Sequence, residues 1–323
     1  MATPDKKPDK QPDRKNVRKW LQDAVERVRD FAYTEQVAVE PPGRPKIGVA
    51  LGGGFARGIA HLGVLHVLEQ EHIPVDYMGG TSSGALLAIA YASGHPIHEI
   101  VAQARATRFK DFGNWKLSWL GLASNQRLEH YPRKFLGVST FEELRIPLTM
   151  AATDLSTGEP VFFNSGPLGP ALRASCAYPG MFVPVELDGW TLVDGFLAAP
   201  VPVDAVRKLG ADVVIAVFLE AANSRKPESI VDVIGLSFAI LQRHADLEWR
   251  RAADIIIEPN VKDFLWDDFE KTSELIAAGE AAARAALPKI RAALEVKQNP
   301  EAPAPAPAQK IQTGKRKTPS SAS

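Results

Sequence analysis

Apolar residues arrive in short blocks separated by glycine- or proline-bearing turns, and the blocks follow two different periods. Lys46 to Leu51 (KIGVAL) is an almost continuous apolar run of strand length; after a glycine loop, Gly58 to Glu71 repeats its apolar residues at helical spacing. This predicts a β-loop-α unit at the start of the folded region. Further strands are predicted at 73–80 (IPVDYMGG), 147–155 (PLTMAATDL), 160–164 (PVFFN), 190–195 (WTLVDG), 212–218 (DVVIAVF) and 254–259 (DIIIEP). Between and after them, 85–92, 203–210, 231–249 and 268–287 read as helices. Strands alternating with helices imply an α/β fold in which a mostly parallel sheet is covered on both faces.

The ends of the chain follow a different pattern. Residues 1–13 are rich in lysine, aspartate and proline, and 297–323 pass through an alanine-proline run into a lysine- and serine-rich terminus. Neither buries enough apolar surface to offset its ordering entropy. The expected division is a charged extension over 1–45, one domain over 46–290, and a disordered Pro/Ala/Lys-rich tail over 291–323. Within the extension, Val17, Trp20, Leu21, Ala24, Val25, Val28 and Phe31 fall on one helical face, with Arg18, Lys19, Arg27 and Arg29 off that stripe. Asp23, Glu26 and Asp30 dilute the basic face, which favours a helix docked on protein over one lying on anionic lipid.

Charge narrows the partners. Lysine plus arginine number 38 and aspartate plus glutamate number 38, so no global field draws the chain to nucleic acid. One cysteine, Cys176, cannot form an internal disulfide, the first residues are charged where a secretory leader is apolar, and no run reaches membrane-spanning length. The expectation is a cytoplasmic protein, with peripheral contact at the inner face of the membrane as its way of meeting lipid. No metal-ligand spacing occurs, so no metal or cofactor is expected.

Three segments carry chemistry. Gly80-Thr81-Ser82-Ser83-Gly84 fits G-x-S-x-G between a strand and a helix, the setting of a nucleophile elbow, and makes Ser82 the candidate nucleophile. Gly52-Gly53-Gly54-Phe55, between the first strand and its helix, offers consecutive amides to a developing oxyanion. A nucleotide-binding reading of that loop fails on spacing, because Arg57 and Gly58 break G-x-G-x-x-G and no G-K-[ST] follows. Of seven histidines only His244 follows an acidic residue in the order Ser…Asp…His, and it lies in a helical pattern. Asp194, at a strand end before the turn residue Gly195, is therefore the candidate base.

The ordered set ALGGGFARGIAHLGVL, GTSSGALLAIAYASG and SCAYPGMFVPVELDGWTLVDGFLAAP resembles the patatin-like phospholipases, in particular bacterial members similar to the neuropathy-target-esterase catalytic domain. The resemblance implies a three-layer α/β/α sandwich and a Ser82-Asp194 dyad without histidine, with the oxyanion hole at Gly53 and Gly54. Arg57, Gly58, Gly80, Gly84 and Gly195 would support the motif. Two departures stand out. Aligning on Arg57 and Gly58 puts Phe55 where a glycine belongs, and Phe196 replaces a small residue after Asp194-Gly195.

The expected activity is hydrolysis of fatty-acyl esters of phospholipids or lysophospholipids through an acyl-enzyme. A general carboxylesterase or thioesterase, or a catalytically silent lipid-binding protein, are the alternatives. The expected partner is a lipid ester; nothing in the sequence identifies a protein partner. Arg57 is read as a loop anchor pairing a carboxylate, and the stripe Trp115, Leu117, Trp119, Leu120 and Leu122 as core.

Overall fold

The computed structural model describes residues 43–298 except 107, 109, 110, 112, 221–225 and 245–247; the side chains of 114–118, 231, 297 and 298 also lie outside that description. The N-terminal helical stripe and the C-terminal tail therefore fall outside the described residues.

The first strand, β1 (Ile47–Leu51), lies at the centre of an eight-stranded sheet. It pairs in parallel with β2 (Tyr77–Thr81) on one side and β10 (Val213–Val217) on the other, and β10 pairs in parallel with β11 (Ile255–Ile257). On the far side of β2 runs β5 (Leu148–Asp154), also parallel. Three antiparallel strands complete the sheet: β6 (Pro160–Phe163), β8 (Val185–Leu187) and β9 (Trp190–Asp194).

Alternate side chains of the central strands enter two separate cores. Ile47, Val49 and Leu51 of β1 and Val213, Ile215 and Val217 of β10 face one; Ala50, Val214 and Ala216 face the other. The first core is covered by α1 (Ala60–Gln70), α2 (Ser83–Ala92), α3 (Ile97–Ala106), α4 (Leu168–Ser175) and α8 (Thr272–Gln298). The second is covered by α5 (Val203–Lys208) and α7 (Glu248–Ala252), through Val203, Val206 and Trp249. Both faces being dry explains why these strands read as apolar runs; each buried Val, Leu or Ile contributes about 1.5–3 kcal/mol. The result is the three-layer α/β/α sandwich expected from the sequence, although α8 runs past residue 290 to Gln298.

A second, three-stranded sheet joins β3 (Asn114–Ser118), β4 (Gly121–Ser124) and β7 (Gly180–Phe182). It corrects the reading of the aromatic stripe. Trp119 and Leu120 form the turn of the β3–β4 hairpin and are exposed, not core, because a two-residue turn points its side chains away from the sheet. Leu122 is half-buried, and the side chains of Trp115 and Leu117 are outside the description.

Candidate active site

Ser82 follows β2 directly and opens α2. Its backbone is forced to φ 57° and ψ −124°, a strained conformation for a residue with a Cβ. Three neighbours hold it. Its N–H donates to the buried Ser175 Oγ of α4 at 2.9 Å. A Cβ on Gly80 would strike Ala85, and one on Gly84 would strike the carbonyl oxygen of Leu51, so the flanking glycines let strand and helix close on the turn. The Ser82 side chain does not cap α2, which leaves the hydroxyl for other work.

The glycine loop lies against the elbow. A Cβ built on Gly53 would stand 3.3 Å from Ser82 Cβ. Gly52 is tied on both sides: its N–H donates to Val217 O at 3.0 Å and its carbonyl accepts from His61 Nε2 at 2.8 Å. The amides of Gly53, Gly54 and Phe55, by contrast, have no hydrogen-bond partner among the described residues. Buried unpaired N–H groups are rare and costly, which marks this stretch as one built to receive an acceptor. Phe55 adopts φ 51°, so the positive φ foreseen at this position is present in a residue that pays for it in strain.

Asp194 reaches Ser82 by an arrangement of strands. Thr81, the last residue of β2, lies opposite Ala151, and Asp194, the last residue of β9, lies opposite Ala152. The other edge of β5 is occupied by β6, paired to both Ala151 and Ala152. So β2 and β9 share one edge of β5, running toward each other and ending one residue apart. The shared carboxyl edge expected of parallel strands is not the cause; an antiparallel strand meeting β2 end to end is. Two threonines fix the junction: Thr153 Oγ1 donates to Asp194 O at 3.0 Å and Thr81 Oγ1 to Ala199 O at 2.8 Å. A Cβ on Gly195 would collide with Ala151 O, which explains that glycine.

The Asp194 carboxyl is fully buried. Burial pushes its pKa up to about 7, against the opposing pull of the Ser82 hydroxyl and of the Phe196 N–H, which donates to Oδ1 at 2.9 Å. Oδ2 has no hydrogen bond of good geometry, leaving it the basic edge nearest the serine. Burial likewise raises the pKa of Cys176, whose thiol is neutral beside the site.

A family model for the patatin-like phospholipases matches residues 49–207, which span the glycine loop, the elbow and Asp194. Residues 49–207 belong to the patatin-like phospholipase family. An uncharacterized NTE family protein of Mycobacterium tuberculosis is 32% identical over 195 residues, 56% of this chain and 51% of the relative. A lysophospholipase of Aspergillus fumigatus, nte1, is 29% identical over 203 residues, 61% of this chain and 13% of its own length. The chain thus spans half or less of the length of these relatives. Among solved structures, VipD from Legionella pneumophila superposes with a TM-score of 0.44 at 14% identity, covering 76% of this chain and 67% of that one.

Two clefts meet at the patatin-like site. The first, with an empty volume of about 830 Å³, is lined by Ile59, Leu86, Leu87, Ile100, Leu128 and Phe182, with Ser82 at one end. The second, of about 860 Å³, is lined by Gly53, Gly54, Arg57, Tyr178, Asp194, Asp232 and Trp266, again with Ser82. Phe55 lines both, and its ring is held edge-on to Tyr178 at 4.9 Å and to Trp266 at 5.5 Å. Phe196, the other departure from the family pattern, lines the second cleft and accepts Gln242 Nε2 on its carbonyl at 2.9 Å.

Arg57 departs from expectation. Its Nε contacts the carbonyl of Gly54 at 3.4 Å and no carboxylate pairs it among the described residues, so it anchors the loop through the backbone. No histidine lines either cleft, and His244 is exposed at the end of α6 (Ile230–His244). Among the described residues no three His, Cys, Asp or Glu side chains gather to hold a metal ion, and no helix is long and apolar enough to cross a membrane. Ser175 and His61 escaped the sequence reading, since a buried serine and a buried histidine inside helical runs carry no motif.

Proposed function

We propose that this protein hydrolyses fatty-acyl esters of phospholipids or lysophospholipids, with Ser82 as nucleophile and Asp194 as its base. The observation that carries the reading is the meeting of a strained serine turn with a buried carboxyl of raised pKa, beside a loop of unpaired amides.

The division of the clefts gives each part of the substrate a place. The apolar cleft takes the acyl chain. The second cleft takes the alcohol portion, because the group that returns the proton lines it: Asp194 belongs to that cleft and not to the first. Ser82 Oγ attacks the carbonyl carbon as its proton passes to Asp194, and the amides of Gly53 and Gly54 hold the oxyanion. Collapse breaks the ester C–O bond, the leaving oxygen takes the proton from Asp194, and the acyl group stays on Ser82. Water, giving its proton to the same carboxylate, then releases the fatty acid.

The test is fluorophosphonate labelling of the full chain, followed by turnover of lysophospholipid, phospholipid and short-chain nitrophenyl esters. Labelling lost in Ser82→Ala, with turnover of long-chain lipid esters, is expected. Labelling that survives Ser82→Ala overturns the nucleophile assignment. Preference for short esters turns the reading toward a carboxylesterase, and neither labelling nor turnover toward a silent lipid-binding protein.

A further inference from the structure

His61 stands in the first turn of α1, wholly buried, in a chain whose site uses no histidine side chain for proton transfer. Its Nε2 lies 2.8 Å from Gly52 O. A carbonyl oxygen only accepts, so the proton of the neutral ring is on Nε2. Nδ1 is then a bare acceptor, and it is buried without a partner. An orphaned acceptor costs about 1–3 kcal/mol, a cost that leucine or methionine in the same helix would not incur. The Nε2 contact offsets it with a function.

That function follows from peptide geometry. In a trans peptide the C=O of residue 52 and the N–H of residue 53 point in opposite directions. The Gly52 carbonyl is drawn toward the helices, since it lies against His61 and would be struck by a Cβ on Gly84. The Gly53 N–H is thereby turned away from them, toward the side where Gly53 faces Ser82 and lines the second cleft. With the Gly52 N–H held by Val217, neither peptide of Gly52 is left to rotate.

We infer that His61 is a positioning residue: by holding the Gly52 carbonyl it aims the Gly53 amide at the oxygen that becomes negative in the transition state. The inference rests on the proposed oxyanion role of this loop. The carbonyl of Gly52, rather than any side chain, transmits the effect, and His61 does not touch substrate. Burial holds the ring's pKa near 4, so it stays neutral across the working range and the contact does not switch with pH.

Four measurements separate this from a packing role. His61→Leu keeps the apolar bulk and removes the donor; kcat is expected to fall on the order of 100-fold with KM unchanged, the signature of a contact made only in the transition state. His61→Gln carries an amide nitrogen as many bonds from Cα as Nε2, and is expected to recover most of that loss. His61→Asn, two atoms short of the carbonyl's side of the ring, should resemble His61→Leu. In the unsubstituted full chain, nitrogen NMR of the imidazoles should find His61 as the Nε2–H tautomer, a reading available even if His61→Leu does not fold. Wild-type kcat in His61→Leu, no recovery in a folded His61→Gln, or a Nδ1–H tautomer each overturns the inference. Fluorophosphonate labelling lost in Ser82→Ala but proceeding at the wild-type rate in His61→Leu would defeat this inference while leaving the nucleophile in place; labelling that persists in Ser82→Ala would defeat the underlying reading instead.

Discussion

Ser175 Oγ accepts the N–H of Ser82 at 2.9 Å, and in doing so secures the strained turn from a helix almost a hundred residues downstream. Without that acceptor the amide of Ser82 is buried and unpaired, and the positive φ loses a restraint.

Ser175→Ala is therefore expected to cost about 1–2 kcal/mol of stability and to lower kcat by roughly tenfold, by loosening the nucleophile without altering it. Denaturant unfolding measures the first and steady-state ester turnover the second. Unchanged values of both would mean that the turn is held by Gly80 and Gly84 alone.

The raised pKa of Asp194 fixes the pH dependence of both activity and stability. As a base it works only when ionised, so kcat/KM should rise with pH on an acid limb centred near 7. Stability moves the other way. A carboxyl whose folded pKa exceeds its unfolded value near 3.8 favours folding most below that value, and the contribution is lost as pH climbs through about 7. Asp194→Asn should be inactive, more stable than the parent at pH 8, and without this part of the pH dependence. A parent acid limb near pH 4 would contradict the burial argument.

Phe55 separates the two clefts at the cost of a positive φ. Phe55→Gly should relieve about 1 kcal/mol of backbone strain, raising the unfolding midpoint. Merging the clefts should also change the ratio of kcat/KM between long-chain and short-chain esters by more than about threefold. An unaltered ratio would assign the ring to packing against Tyr178 and Trp266 only.

His244→Ala should leave turnover within about twofold of the parent, since the residue is exposed at the end of α6 and lines neither cleft. Silencing by this substitution would demand a histidine-assisted mechanism.

The central strands were legible in the sequence because both faces of each are covered, which turns β1, β10 and β11 into unbroken apolar runs. Local chemistry was legible too: the glycines around Ser82 are required by contacts within a few residues or with the adjoining strand. What escaped were relations between distant segments. Nothing local in Trp190–Asp194 reveals that this strand runs against β2 along β5, nor that Ser175 reaches the elbow. Trp119 and Leu120 were misread because an apolar pair at a hairpin turn has the composition of core and the position of surface.

The end-to-end meeting of β2 and β9 on β5 also bears on how the protein comes into being. Nucleophile and base stand together only once all three strands have paired, and β9 is the last of them to be synthesised. A nascent chain halted anywhere before Asp194 carries the serine turn but no partner for it, so a half-made polypeptide poses no threat to the lipids of the cell that is making it.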